Sequence, residues 1–592
     1  MIKEQIFNSI INAIDNLSAE LNLENIDYES ILSVEKPKNP EFGDFAVNVS
    51  SLSRYAKLPP AKIAENINPL ININDSEINI ISGFINIKLG NSWLNKSLCE
   101  IIETKSNFGK NNSGNGEKVL LEYVSANPTG PLHIGHGRWA AVGSSLTNLM
   151  KFSGYDVDQE FYINDAGNQI NNLGKSLWIR VLQELGENVK LPDTEEDGSK
   201  NYYPGEYLIN IAEDYLSQNK EKAIEFYKIN PDPFNPSEDI VSEMSAYAKE
   251  ILLQEQKELL ERFKVNFDSW YSETSLHENG KVKEVLEELK SRDKTFEKEG
   301  ALWFKSSEYG DDQDRVIIKS DGAYTYLTAD IAYHYDKLKR GYQRLINIWG
   351  ADHHGYVARM KAAIAALGYD SNALEVLLGQ LVNLIIGGEQ VRMGKRRKML
   401  TLSELIDEVG VDATRFWMIM RSIDTTLDFD VDLAKSCSDE NPVFYVQYAH
   451  ARASSILRTA ISPRPDQDTG SVQTPVLSQE ELDDLLNNAD LSLYNDLWSS
   501  ESLKELESTK NLILKLESFK DTVINASNAR APYQIARYAM ELASDFHYFY
   551  TYTRVLNSES SIMKARLALV FATKQVLYNS LSLLGVSSPE SM

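Results

Sequence analysis

The sequence predicts a multidomain α/β protein with a Rossmann-like parallel sheet in its central domain, an inserted helical segment, a small α+β domain before it and an all-α domain after it. Three observations carry this prediction. The 592 residues exceed what one hydrophobic core supports. A strand, a glycine-bearing loop and a helix succeed one another from Lys118 to Gly154, which is the opening of a nucleotide-binding βα unit. The last third has helical periodicity almost throughout.

Residues 1–112 are predicted to form the small α+β domain. "MIKEQIFNSIINAIDNL" has apolar residues at helical spacing, and "SGFINIKL" alternates as a strand does. The segment ends in "GKNNSGNGEK", whose glycines and asparagines indicate a linker.

Residues 113–435 are predicted to form the central domain. "KVLLEYVSANPTG" reads as a buried strand that runs into a turn, and "GRWAAVGSSLTNLMKFSG" as the helix that follows. An insertion of about 170–300, rich in Glu, Lys, Asn and Tyr, separates this unit from later strand patterns such as "RLINIWGADHHG". Residues 436–592 then read as helices, interrupted by "SPRPDQDTGSVQTP".

Composition excludes several classes of protein. Apolar residues make up 42% and charged residues 25%, and we expect no membrane span because no apolar run is long enough. Two cysteines, Cys99 and Cys437, exclude a disulfide framework, so we expect a cytoplasmic protein. The formal charge of −26 disfavours a polyanionic partner except at a local basic cluster, and "RMGKRRK" is a dense one.

Two of only eight histidines, His133 and His136, stand three residues apart in "PTGPLHIGHGR". They could be ordinary polar residues on a helix face. A metal site with His353 and His354 is a second interpretation, although no helical HExxH or suitably spaced carboxylate supports it. The third is phosphate binding, because a helix that follows a first parallel strand presents unpaired N–H groups to anions. Gly135 would then let a ligand approach the backbone.

The longer block "SANPTGPLHIGHGR" resembles the signature of the arginyl-tRNA synthetases, and its HIGH tetrapeptide that of class I aminoacyl-tRNA synthetases in general. The resemblance implies a class I catalytic domain in which His133, Gly135, His136 and Gly137 contact ATP. It further implies that Mg²⁺ accompanies ATP and that arginine activation requires bound tRNA. We expect no metal site made by the protein alone.

A class I site also has a mobile loop written KMSKS, and "VRMGKRRKMLTL" resembles it. The favoured register aligns residues 392–396, so that Lys395 and Arg396 act as phosphate donors and Arg392, Met393 and Gly394 contact ATP. Arginine replaces the first lysine of the motif, and glycine replaces its serine. This departure bears on the rate of adenylate formation. A register at Lys398-Met399 remains open.

Selection of arginine requires carboxylates placed around a planar guanidinium. "YTYLTADIAYHYDK" and "WYSETSL" resemble the arginine-selecting segments of the family, which implies Asp330 and Glu273 on the guanidinium and Tyr326 beside it. Four more residues would hold or adjoin the α-amino and carboxylate end of the amino acid; they are Ser125, Asn127, Asp352 and His353. Polar pockets of this kind discriminate strongly, so the insertion need not proofread.

The terminal domains resemble the tRNA-contacting domains of the same family. "NPEFGDFAV" and "SGFINIKL" resemble its additional amino-terminal domain, with Phe84 and Asn86 as base readers at the tRNA elbow. "NPVFYVQYAHARASSILR" and "APYQIARYAMELASDFHYFYTYTRVL" resemble its helical anticodon-binding domain. There Tyr548, Tyr552 and Arg554 are candidates for contact with unstacked bases, although aromatic residues in helices often serve only the core.

The sequence therefore predicts an arginyl-tRNA synthetase that uses ATP, L-arginine and tRNA(Arg) and acts as a monomer. Three rivals differ in one feature each. A class I enzyme for another amino acid would lack the pair of Glu273 and Asp330. A nucleotidyltransferase or ligase that uses no tRNA would lack the terminal RNA domains. A non-catalytic RNA-binding relative would lack intact His133, His136 and Lys395.

Replacing Lys395 with alanine tests the assignment of the loop. We expect Lys395→Ala to slow adenylate formation by about 10²–10³-fold, because one preorganised donor to developing charge typically contributes that much. Arginine binding should stay close to wild type, since the lysine is assigned to the phosphates. Single-turnover adenylate formation at saturating arginine measures the first quantity, and equilibrium titration measures the second. An unchanged rate would reject this register.

Overall fold

The structure, a computed structural model, describes residues 2–192, 202–391, 401–462, 475–556 and 559–592. Its first part has helices α1 (Ile2–Asp15), α2 (Ser18–Leu21), α3 (Ser53–Ala56), α4 (Pro60–Ile67) and α5 (Asn91–Thr104) and strands β1 (Val34–Glu35), β2 (Phe45–Asn48), β3 (Ser76–Ile81) and β4 (Phe84–Leu89). The strands form an antiparallel sheet in the order β1-β2-β4-β3. The small α+β domain is as predicted, and its core is rich in isoleucine.

The central part holds strands β5 (Lys118–Glu122), β6 (Asp156–Ile163), β7 (Ser269–Ser272), β8 (Thr295–Lys298), β9 (Ala301–Phe304), β10 (Arg315–Ile318), β11 (Arg344–Gly350), β12 (Leu374–Gly379), β13 (Val382–Ile386), β14 (Glu389–Val391) and β15 (Leu427–Asp430). Its helices are α6 (Ile134–Phe152), α7 (Asn168–Glu184), α8 (Tyr207–Ile229), α9 (Glu238–Arg262), α10 (Glu273–Glu278), α11 (Lys281–Ser291), α12 (Tyr326–Lys339), α13 (His354–Ala366), α14 (Leu402–Val409), α15 (Val411–Ile419) and α16 (Val431–Lys435).

The main sheet of this domain has the order β12-β11-β5-β6-β7, and each pairing is parallel. β5 lies in the middle because its residues are buried on both faces, as the apolar run Val119–Leu121 requires. The chain reaches β6 on one side of β5 and β11 on the other. In such open sheets, ligands bind outside the carboxyl ends of the strands where the winding reverses.

The insertion begins with α7, α8 and α9, which lie between β6 and β7 and pack around their own core of Leu177, Trp178, Tyr215 and Met244. The helical prediction for this segment is confirmed for these three helices. Farther along, β8, β9 and β10 form a small antiparallel sheet in the order β10-β9-β8, which the sequence indicated only in part.

The last part is helical, with α17 (Pro442–Ile461), α18 (Gln479–Asn487), α19 (Leu491–Tyr494), α20 (Leu503–Asn528), α21 (Tyr533–Tyr552) and α22 (Ser560–Leu583). The buried Arg415 ties this bundle to the central domain, because its guanidinium donates to the carbonyls of Leu584 and Phe263. The parallel sheet, the α+β domain and the helical bundle together confirm the predicted fold class. Over the residues described, none of the helices has both the length and the apolar character that crossing a bilayer demands.

Candidate active site

A crevice of about 370 Å³ opens at the carboxyl ends of β5, β6 and β11. Six of the predicted site residues line it: Ser125, Asn127, His136, Asp330, Asp352 and His353. Residues that the sequence analysis did not single out line it as well, among them Glu122, Trp139, Tyr162, Trp349 and Tyr356. The crevice therefore joins residues from the signature block, from α12 and from the segment after β11.

The backbone directly after β5 is strained. Val124 and Ser125 have φ angles of 67° and 41°, a left-handed conformation that a β-branched residue rarely adopts. Such outliers persist where the surrounding structure enforces them, and they concentrate at functional sites. Here the strain turns the chain at the floor of the crevice and brings the Ser125 hydroxyl within 3.0 Å of Glu122 Oε1.

His133 and His136 begin α6 and hold one another in place. The amide of Gly135 donates to Nδ1 of His133 at 3.1 Å, and the amide of His133 donates to Nδ1 of His136 at 3.2 Å. This is a capping box built from two imidazoles. The rings stack with centroids 3.6 Å apart. The pair is thus part of the helix start and not an ordinary polar face.

The capping bonds determine which ring nitrogen carries the proton. Because each Nδ1 accepts a backbone N–H, the proton of each neutral imidazole lies on Nε2. Burial lowers the pKa of His133, and burial together with His133 lowers the pKa of His136 to about 3. At neutral pH the pair therefore offers uncharged Nε2–H donors at a helix N-terminus, which suits phosphate oxygens.

The two glycines of the signature have different surroundings. A Cβ at position 135 would approach the His133 ring to 2.9 Å, so glycine lets that ring cap the helix. A Cβ at position 137 would come within 2.6 Å of the Leu402 side chain, and Gly137 is buried there. The structure gives Gly137 a packing role, and its contact with ATP stays a prediction.

The predicted phosphate loop lies outside the described residues: Arg392, Met393, Gly394, Lys395 and Arg396 all fall there. The first residues described after that gap lie next to the histidines. Thr401 forms an antiparallel bridge with His133, and the amide of Leu402 donates to the carbonyl of Leu132 at 2.8 Å.

Asp330 lines the crevice, whereas Glu273 does not line it and lies behind Tyr162. The hydroxyl of Tyr162, which lines the crevice, is hydrogen-bonded to the carboxylate of Glu273. The hydroxyl of Tyr356 donates to Asp330 Oδ2. Among the residues described, both acids thus have tyrosine hydroxyls and not cations as hydrogen-bond partners.

The surroundings of these two acids disfavour their charged forms. Burial, followed by the charge of Asp330, raises the pKa of Glu273 to about 7. Burial raises the pKa of Asp330 to about 6, although the hydrogen bond from Tyr356 opposes the rise. A cation that entered between the two carboxylates would remove this penalty.

A buried polar relay runs behind the crevice from β5 to α12. The ammonium of Lys337, which is fully buried, pairs with Glu122 and lies 3.4 Å from Asn347 Oδ1. Asn347 Nδ2 lies 2.9 Å from His334 Nε2, and His334 Nδ1 lies 2.8 Å from the carbonyl of Asp330. Lys337 therefore neutralises Glu122, while the contacts of His334 and Lys337 hold the second half of α12 against the sheet.

Other predicted residues have mixed placements. Asn127 lies at the crevice with its amide donating to Gln169 at 2.7 Å. Asp352 and His353 lie at the exposed mouth, with Oδ2 and Nε2 3.7 Å apart. Tyr326 is the first residue of α12, is 75% exposed and does not line the crevice. Its place beside the guanidinium stays a prediction that this conformation does not support.

The candidate RNA contacts also differ in exposure. Phe84 on β4 is exposed, whereas Asn86 is only 2% exposed and its amide lies 3.5 Å from the Phe84 carbonyl. Tyr548 and Tyr552 are exposed on one face of α21, with ring centroids 4.8 Å apart. Arg554 lies just beyond them and is exposed. Tyr548 and Tyr552 form an accessible stacking surface, and the buried Asn86 does not.

Sequence reasoning missed Glu122, Tyr162, Tyr356 and Lys337. Two of them left a signal in the sequence. Glu122 is the one acid in the apolar run of β5, and Lys337 lies seven residues after Asp330, on the same helix face. Tyr162 and Tyr356 left none, because what brings them to the crevice is the pairing of β6 and β11 with β5.

The first strand of the parallel sheet is followed by a helix that begins with a histidine capping pair, and polar side chains line the crevice beside it. This is the architecture of a class I aminoacyl-tRNA synthetase. Three family models match the chain: "Arginyl tRNA synthetase N terminal domain" over residues 4–89, "tRNA synthetases class I (R), catalytic domain" over residues 93–423, and "DALR anticodon binding domain" over residues 446–592.

Curated relatives extend this match to nearly full length. The chain is 45% identical to arginine–tRNA ligase 1 of Halalkalibacterium halodurans and 46% identical to arginine–tRNA ligase of Geobacillus kaustophilus, in each case over 94% of both chains. The structure of Thermus thermophilus arginyl-tRNA synthetase shares the fold, with a TM-score of 0.73, 22% identity and full coverage of both chains. The chain belongs to the arginyl-tRNA synthetase family.

The raised pKa values predict that arginine binding depends on pH. A guanidinium stabilises the ionised carboxylates, so Glu273 and Asp330 must release protons when arginine binds. Affinity should rise as pH increases through 6 and 7 and level off above about 8. At pH 6 we expect binding to be about tenfold weaker than at pH 8.

Isothermal titration in buffers of different ionisation enthalpy measures both the affinity and the protons released. Glu273→Gln should remove part of the pH dependence. An arginine affinity that is the same at pH 6 and pH 8, with no proton release, would contradict the shared acidic site.

Proposed function

We propose that this crevice activates L-arginine with ATP and transfers it to tRNA(Arg). The chain is an ATP-dependent arginine–tRNA ligase by family, and the proposal concerns which residues perform the reaction. The observation that carries it is that Asp330 and His136 line one crevice, and that Glu273 is hydrogen-bonded to Tyr162 in its wall and is affected by the charge of Asp330.

In the first step, a carboxylate oxygen of arginine attacks the α-phosphorus of ATP. A new O–P bond forms, the bond to the β-phosphate bridge breaks, and pyrophosphate leaves with its electron pair. Negative charge grows on the phosphoryl oxygens, so positioning and preorganised donors supply most of the catalysis. The Nε2–H groups of His133 and His136 are suited to that role.

The remaining ATP contacts are proposed from the signature residues. The backbone at Gly135 would meet a phosphate, Gly137 would contact ATP two residues farther along α6, and residues 392–396 would bring Lys395 and Arg396 to the leaving pyrophosphate. We assign Mg²⁺ to the phosphates of ATP. The described ranges contain no cluster of three or more His, Cys, Asp or Glu side chains that would hold a metal ion.

Arginine would enter with its guanidinium between Glu273 and Asp330 and replace the hydroxyls of Tyr162 and Tyr356 as their partner. Its α-amino and carboxylate end would then lie toward Ser125 and Asn127, with Asp352 and His353 at the mouth. A lysine ammonium lacks the planar fork that two separated carboxylates require, so the arrangement favours arginine.

In the second step, a hydroxyl of the terminal ribose of tRNA attacks the carbonyl carbon of arginyl-adenylate, and AMP leaves. We propose residues 1–112, 113–435 and 436–592 as the tRNA-elbow, catalytic and anticodon-binding domains. Tyr548 and Tyr552 offer exposed rings on which anticodon bases could stack. We propose a monomer in the cytoplasm, a reducing compartment that suits the free thiols of Cys99 and Cys437.

ATP–pyrophosphate exchange with arginine, lysine or glutamate, each with and without total tRNA, tests this function. We expect exchange with arginine alone, and only when tRNA is present. Asp330→Asn should raise the KM for arginine by about 30-fold or more, because a buried charge pair loses one partner.

Asp336→Asn is the matched control. It makes the same chemical change on the same helix, at a carboxylate that pairs with Lys281 outside the crevice. Exchange supported by lysine or glutamate, or an Asp330→Asn variant with the KM of the control, would overturn the assignment.

A further inference from the structure

Helix α9 of the insertion reaches both halves of the crevice. It packs against α7 and α8 and presents Lys249 and Gln256 toward the central sheet. These residues are seven positions apart, which places them on one helix face about two turns from each other. Their hydrogen-bond partners lie next to predicted site residues, which suggests a role for the insertion in the active site.

Lys249 acts through Asp165, which follows β6. Lys249 Nζ lies 3.2 Å from Asp165 Oδ2, and the Asp165 side chain is almost completely buried. The carboxylate of Asp165 accepts from the hydroxyl of Ser272 at 2.9 Å and from the amide of Thr274 at 3.0 Å. Ser272 and Thr274 are the two chain neighbours of Glu273, so the Asp165–Lys249 pair anchors the residue that selects arginine from both sides.

Gln256 acts on the other half of the crevice. Its Nε2 donates to the carbonyl of Gly130 at 3.0 Å and to the carbonyl of Asn127 at 3.3 Å. From α8, the Tyr207 hydroxyl donates to the carbonyl of Thr129 at 2.5 Å. The insertion therefore holds the loop that connects Asn127 to the histidine pair at three of the four carbonyls from Asn127 to Gly130.

Each residue supplies one polar group to the segment that it contacts. Lys249 is partly exposed, but it pairs with the almost completely buried Asp165, so it neutralises a buried charge as well as holding the segment around Glu273. Gln256 is 1% exposed, and among the residues described its Oε1 has no hydrogen-bond partner. A buried amide oxygen without a partner is unfavourable. The benefit of glutamine at this position therefore comes from its donor nitrogen, which satisfies two loop carbonyls.

We propose that α9 is a brace for the active site, and that Lys249 and Gln256 are positioning residues which align Glu273 with the loop before His133. Neither side chain touches a substrate. Lys249 acts on arginine recognition, and Gln256 acts on the placement of the signature loop. The inference rests on the proposed function, since it assigns these effects to arginine and ATP.

The test uses the full-length enzyme with tRNA and measures KM and kcat for pyrophosphate exchange. Lys249→Met should raise the KM for arginine about tenfold and leave the KM for ATP unchanged, because indirect coupling of this kind is modest. Lys249→Arg should restore the KM for arginine. Gln256→Met should lower kcat about tenfold with a smaller change in the KM for arginine.

Two controls separate positioning from folding. Lys222→Met removes another ion pair of the insertion, with Glu243, and should change neither KM nor kcat. The double variant of Lys249→Met and Glu273→Gln should have the same KM for arginine as Glu273→Gln alone, because both changes act through the same carboxylate.

The outcomes distinguish the two proposals. A wild-type enzyme without arginine-dependent exchange would overturn the function and the brace together. An active wild type whose Lys249→Met and Gln256→Met variants keep wild-type constants would overturn the brace alone. The brace would also be overturned if both variants had a lowered Tm and equally impaired KM and kcat for every substrate, because that pattern reports unfolding.

Discussion

The structure depends on two carboxylates, Glu273 and Asp330, whose hydrogen-bond partners among the residues described include no cation. Glu273 is buried, Asp330 lines the crevice, and the charge of Asp330 helps to raise the pKa of Glu273. Their hydrogen-bond partners are the hydroxyls of Tyr162 and Tyr356. Burial of an unpaired charge is unfavourable. Without arginine the two acids therefore carry a penalty that a guanidinium would relieve, and we propose this penalty as the physical basis of selectivity for arginine.

The rest of the site preserves that arrangement. Lys337 could compete with a guanidinium for these acids, but its ammonium pairs with Glu122. His133 and His136 are neutral because they are buried, so they do not pair with the acids. We propose that their Nε2–H groups bind a phosphate, so that the guanidinium and the triphosphate would be recognised by different groups of the same site.

Local patterns predicted the parts of the site that are local. The strand β5, the helix α6 and the histidine pair lie within one short block, and Asp330 is recognisable in its own segment. Local patterns could not predict pairs of residues that are distant in the sequence. Lys337 and Glu122 are 215 residues apart, and the pairing of β5 with β11 brings their elements together. Tyr326 and Asn86 show the same limit, because a helix start exposes one and a strand face buries the other.

Thermal unfolding of the empty enzyme at pH 8 tests the stored penalty most directly. An acid whose pKa is raised by folding destabilises the folded state above that pKa, and the effect vanishes below its unfolded pKa. Asp330→Asn should therefore unfold at a higher temperature than wild type when both are empty at pH 8. Saturating arginine should reverse that order. A variant that is no more stable than wild type when empty would show that the crevice holds no such penalty, and the account of selectivity would fail.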